Sequence, residues 1–255
     1  MKKQIFLLAA AFWCCAASAT TPPATFYPEI EIKKVSGMNM ENGIDHPAWK
    51  NTPSYQFLQM IGPLSAINRK PAEGGSVQYL YDDNYFYVRA EFIDSDIIVS
   101  ATADGGHFYN TGDVLEIFIK PEKSNYYWEI YGTPNKLNTR FHYSSRSNLG
   151  LPSGFKHDEV GIKVNSKING TLNDSSDRDQ SYIVLVAIPV TELNHPIKEG
   201  HPNGTVPFSP DEEWRVFSSR YNYSRYLNKY ELSSFPQIFG GYHSLEYFAK
   251  IKFIK

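Results

Sequence analysis

The chain has 255 residues, 25 basic against 27 acidic, with 42% apolar and 15% aromatic content. That length and apolar share allow a sizeable packed core and exclude wholesale disorder, and the near-neutral balance leaves no electrostatic footprint for nucleic acid or an anionic membrane surface. The 18 tyrosines stand out, because each joins a flat apolar ring to a polar tip and suits half-exposed sheets and binding faces alike.

The first segment reads as an address. Lys2 and Lys3, the apolar run Ile5 to Trp13 and the small residues Ala17-Ser18-Ala19 form the pattern of a secretory signal peptide over residues 1–19, too short to span a membrane. No later run reaches transmembrane length, so the expected location is periplasmic or extracellular. Cleavage would remove Cys14 and Cys15, leaving an exported chain that depends on its core rather than on disulfides. Trp13 and Cys14 stand where a lipobox needs a small residue, which argues against a lipid anchor on either cysteine. Residues 20–28 carry three prolines and read as an extended leader.

From residue 29 onward strands dominate. Glu29 to Val35 alternates charged and apolar residues, the period of a half-buried strand. Val77 to Tyr81 and Tyr85 to Ile93 flank the turn-forming Asp82-Asp83-Asn84 and predict a hairpin. Val114 to Ile119 and Tyr126 to Tyr131 predict a second pair. Further strands are expected over Arg140 to Tyr143, Gly161 to Ile168, Tyr182 to Ile188, Trp214 to Tyr221 and Ala249 to Ile254, with Pro189 ending the Tyr182 strand. Val190 to Leu193 supplies at most one helical turn, and Asn169 to Gln180 reads as an exposed hairpin loop. About ten strands with no convincing helical stripe predict an all-β chain, a single antiparallel β-sandwich of the jelly-roll or immunoglobulin-like kind, over residues 29–255.

Six short motifs follow in order: Gly43-Ile44-Asp45-His46-Pro47-Ala48-Trp49; Tyr81-Asp82-Asp83-Asn84-Tyr85-Phe86-Tyr87-Val88; Asp113-Val114-Leu115-Glu116-Ile117-Phe118; Ala187-Ile188-Pro189; Trp214-Arg215; and a terminal block from His243 to Phe253. The set resembles the family 9 carbohydrate-binding modules over roughly residues 29 to 255. The resemblance implies a β-sandwich that holds sugar units between aromatic rings with polar groups beside them, performs no chemistry and requires no cofactor. Structural calcium occurs in several members. Glycans or oligosaccharides are then the expected ligands, and polysaccharide-degrading enzymes the expected associates.

Alternation on the Val114 to Ile119 strand puts Val114, Glu116 and Phe118 on one face and Leu115, Ile117 and Ile119 on the other. A carboxylate there can accept from vicinal sugar hydroxyls while a ring covers the pyranose C–H face; alternatively Glu116 pairs with a cross-strand arginine such as Arg140. Arg140 and His142 share a strand face. The resemblance assigns a basic residue and an amide at these two positions to the sugar; His142 departs from the amide, and an ion pair is the other reading of Arg140. The family's two stacking tryptophans are missing: Tyr109 and Phe235 are the candidate substitutes, ordinary packing their alternative. Trp49, Trp128 and Trp214 read as core. Asp94, Asp96 and Asp104 supply hard oxygen ligands for calcium, or are plain turn residues.

Catalytic readings find little support. The seven histidines form no zinc spacing, no G-x-S-x-G elbow occurs, and glycine-rich phosphate loops are missing. A glycosidase would need two carboxylates drawn from distant strands into one gap. A sandwich that holds a cofactor such as haem through Met and His is the competing non-catalytic reading.

Overall fold

The computed structural model of the chain describes residues 28–60, 66–146, 161–193, 208 and 210–255. The expected signal peptide, the cysteines and nearly all of the expected leader lie outside them. Among the described residues the chain is all-β, with no α-helix and only short 3-10 turns, one of which is the expected Val190–Leu193. No helix there is long and apolar enough to cross a membrane.

The described residues form thirteen strands: β1 Glu29–Lys34, β2 Tyr55–Gln56, β3 Leu58–Gln59, β4 Gly75–Tyr81, β5 Tyr85–Ile93, β6 Val114–Pro121, β7 Tyr127–Gly132, β8 Asn138–Tyr143, β9 Lys163–Asn169, β10 Ser181–Pro189, β11 Trp214–Asn222, β12 Glu231–Phe235 and β13 Ala249–Ile254. Each expected strand occurs within two residues of its predicted bounds. The unforeseen ones are β2, β3 and β12, the first two being too short to show a period and the third carrying Ser233 and Ser234 in place of apolar residues.

Hydrogen bonding runs along the path β8-β7-β6-β11-β13-β1-β4-β5-β10-β9, with β12 beside β11 and β2 beside β4. β1 lies between the two halves and is parallel to both its neighbours, β13 and β4. The halves face one another. Leu115, Ile117, Ile119, Trp128, Ile130, Trp214 and Val216 from one half share a buried cluster with Val77, Tyr79, Phe86, Val88, Phe92, Val184 and Val186 from the other. Each such side chain contributes about 1.5–3 kcal/mol on burial, so this layer supplies what disulfides would otherwise have to. Trp128 and Trp214 stack at 6.2 Å within it, and Trp49 is buried on the opposite side of β4, its Nε1 donating to the Gly43 carbonyl at 2.6 Å. At Gly132 the two halves touch: a Cβ there would lie 2.5 Å from Val186 Cγ2, so only glycine fits.

One edge of this layer is polar. Arg220, fully buried, donates to Asp94 Oδ2 at 2.6 Å, to Asn222 Oδ1 at 3.0 Å and to the carbonyls of Glu73 and Ile93. Glu73 in turn accepts from Asn222 Nδ2 and from the amide and hydroxyl of Ser95. The predicted exposed loop between β9 and β10 is corrected in part, because Asp179 turns inward and accepts from the Ile97 and Thr171 amides at 2.6 and 2.5 Å.

Candidate functional site

Directly paired residues on antiparallel strands share a face. Glu116 pairs with Tyr131 and Phe118 with Glu129 across β6 and β7, while Ile117 pairs with Ile130 and then Arg140. The inner face of these strands is therefore the apolar core. Their outer face gathers Glu116, Phe118, Tyr127, Glu129, Tyr131, Phe141 and Tyr143, which carry most of the aromatic excess on this side.

A cavity of about 360 Å³ opens on that outer face. Glu116, Glu129 and Tyr131 form its floor; Tyr109, Tyr143, Tyr221 and Tyr242 form its walls, with Met60, Leu232, His107 and His243 at the margins. The volume falls within the usual range for a small-molecule site. Tyr109 sits on the 3-10 turn Phe108–Asn110, which the buried Phe108 anchors, and Tyr223 Oη holds its carbonyl at 2.6 Å. Tyr109 is 39% exposed and its ring lies 5.7 Å from that of Tyr221, so a partly exposed aromatic side chain borders the opening. His243 is spoken for by the Tyr127 hydroxyl, 2.8 Å from Nδ1, and burial lowers its pKa.

The floor is two carboxyls without a cation. Glu116 Oε2 accepts from Ser219 Oγ at 3.1 Å and Glu129 Oε1 from Tyr131 Oη at 2.5 Å. Glu129 Oε2 meets no donor in hydrogen-bonding geometry, although the Tyr143 hydroxyl lies close enough to influence it. Burial, and then the neighbouring Glu129, hold the Glu116 pKa well above the ordinary carboxylate range. Burial likewise raises Glu129, to about 7. The upward shift favours a protonated Glu116, which can donate as well as accept, over the acceptor-only carboxylate the sequence suggested.

Of the residues singled out from sequence, Tyr109 and Glu116 converge on this cavity and the rest do not. Arg140 and His142 do share a face, but it is the inner one. Arg140 Nη1 binds the carboxylate and carbonyl of Glu192 at 2.5 and 2.7 Å, and His142 packs between the rings of Tyr126 and Trp128. The ion-pair reading of Arg140 holds, with Glu192 in place of Glu116. Phe235 also faces inward, stacked on Tyr55 at 4.5 Å; Leu232, on the opposite side of β12, is the one that lines the cavity. Asp94 is taken by Arg220, Asp96 accepts from the Arg225 amide, and Asp104 accepts from the Asn138 amide. The three do not form a cation site, and no other triad of carboxylate, imidazole or thiol donors does among the described residues. Met60, which the sequence left without a partner histidine, borders the same cavity as His107 and His243.

Glu129, Tyr131, Tyr143, Tyr221 and Tyr242 were missed. Alternation puts Tyr127, Glu129 and Tyr131 on one face, but only the register with β6 reveals that Glu116 shares it.

An all-β chain whose outer sheet face carries a tyrosine-walled pocket over acidic groups has the form of a small-ligand binding domain. The chain belongs to the carbohydrate family 9 binding domain-like family, whose model matches residues 42–206. A protein from Bacteroides uniformis ATCC 8492 described as carbohydrate-binding shares the fold, with a TM-score of 0.63 at 12% identity over 89% of this chain and 99% of that one. A family 9 carbohydrate-binding module from Caldicellulosiruptor kristjanssonii, solved with cellotriose, gives 0.51 at 14% identity over 88% and 93%. No curated protein sequence matches the chain with significance.

Proposed function

We propose that this is an exported, non-catalytic carbohydrate-binding protein, a β-sandwich over residues 29–255 behind a signal peptide at 1–19, and that the outer-face cavity holds the sugar. The observation that carries the reading is the cavity of this family member: rings of Tyr109 and Tyr221 beside two buried carboxyls with spare hydrogen-bonding capacity. An aromatic face covers the apolar side of a pyranose, while the Glu116 carboxyl accepts from its hydroxyls and, when protonated, donates to them as well. Tyrosine in place of tryptophan gives a smaller platform, so affinities in the micromolar to millimolar range are expected, about −8 to −4 kcal/mol. Capture of polysaccharide for degrading enzymes is the role such a protein would serve.

Calorimetric titration with cellotriose, the ligand of the Caldicellulosiruptor module, and a glycan array test the reading. Saturable binding that Tyr109→Ala and Glu116→Ala each weaken supports it. Binding that both variants retain sinks it.

Two carboxyls in one pocket also fit a glycosidase, and reducing-sugar release from the same glycans decides that reading. Met60 beside His107 and His243 bears on a haem-type reading; visible absorbance of the purified protein decides that one.

A further inference from the structure

A second cavity of about 550 Å³ adjoins the first, and Met60 and Leu232 line both. Its other walls are the turn at 66–70 and the β11–β12 connection, and they include Arg69, Lys229, Tyr230 and Glu231. The aromatic platform continues into it: Tyr230, half exposed, stacks 6.2 Å from Tyr221 of the first cavity and 5.5 Å from Tyr223.

Both walls are held in place. Buried Gln237 donates from Nε2 to the carbonyls of Gln59 and Ala66 at 2.7 and 2.9 Å and accepts from the Asn68 amide at 2.8 Å, which fixes the turn that presents Arg69. Glu231 accepts from the Ala72 and Glu73 amides at 2.7 and 3.1 Å, so its carboxylate is committed to backbone. Arg69 and Lys229 are both exposed, and neither joins any of the ion pairs found among the described residues. The first cavity holds acids and no cation; the second holds two cations and one acid already occupied.

Resting on the sugar reading of the first cavity, we infer that this second cavity is a subsite for an anionic sugar unit, so that the ligand is a glycan carrying a carboxylate or sulfate beside the unit held over Glu116. Arg69 offers a planar fork that suits either anion, Lys229 a point charge, and Tyr230 a stacking face.

The experiment compares matched pairs by calorimetry on the full chain: trigalacturonate against its methyl ester, and a sulfated galactan trisaccharide against its desulfated form. The charged member of at least one pair should bind about fivefold more tightly, with the preference shrinking between 0.05 and 0.5 M salt. Arg69→Ala with Lys229→Ala should erase the preference and leave cellotriose affinity within twofold; the pair that responds identifies the anion. Equal affinity within both pairs, or a preference that survives the double substitution, overturns the subsite while cellotriose binding persists. Loss of all binding, cellotriose included, overturns the underlying sugar reading instead.

Discussion

Two buried polar clusters among the described residues, around Arg220 and around Glu116, differ in how they are completed. Around Arg220, a guanidinium, two carboxylates, an amide and two carbonyls close on one another inside the fold. Around Glu116 and Glu129, two carboxyls meet hydroxyls only, and one oxygen lacks a donor in good geometry. In the first cluster Arg220 sets its charge against the carboxylates and welds β11 to the end of β5. In the second, burial raises both carboxyl pKa values with no cation to offset it, and the pair lies at the floor of an open cavity. A buried acidic pair left without a cation is costly to folding alone, which is why it reads as a place prepared for a ligand.

The largest effect should come from breaking the closed cluster. Arg220→Met leaves Asp94 and Glu73 buried without their cation, and denaturant unfolding should show a loss of about 3–5 kcal/mol. Stability unchanged in that variant would mean the cluster is not the clasp its geometry implies.

Next is the pH response of the open cluster. Glu129 titrates at about 7 in the folded state against about 4.3 unfolded. A raised folded value means that the folded state holds the proton more tightly. Its contribution is therefore present below about pH 4.3 and lost as pH rises through 7, on the order of 3 kcal/mol. Glu116, also raised by burial, acts in the same direction. Unfolding midpoints between pH 5 and 8 should fall in the native chain and flatten in Glu129→Gln; a native profile that is flat or rising refutes the uncompensated pair.

Arg140→Ala sharpens the contrast between the two faces of β8. Removing the partner of Glu192 should cost about 1–3 kcal/mol of stability and leave cellotriose affinity unchanged, since Arg140 points into the core. A drop in affinity at unchanged stability would return it to the binding face. The smallest structural effect belongs to Tyr109→Ala, within about 0.5 kcal/mol of native stability, with affinity for cellotriose down roughly tenfold if its ring stacks on the sugar.

The strands were legible because alternation is a local property: Tyr85 to Ile93, Val114 to Ile119 and Ala249 to Ile254 carry their own period. Trp49 was legible too, its burial following from the Gly43 to Trp49 motif that it closes. The site was only half legible. Period two separates Arg140 and His142 from their strand neighbours but does not say which side faces the core; that is set by pairing with Ile130 and Trp128 on β7. Glu129 was hidden for the same reason, since its proximity to Glu116 exists only through the β6–β7 register. Arg69 and Tyr230 lie in connections with no period at all, where their approach depends on Gln237 and on ring stacking.

The proposed seat of the sugar is the outer face of β6, β7 and β11. A crystal structure of the chain grown with cellotriose tests it most directly. A pyranose against Tyr109 and Tyr221 with a hydroxyl on Glu116 is the expected result. A sugar seated instead on the far outer face, against Tyr85, Tyr87 and Lys163 where another cavity opens, would contradict it.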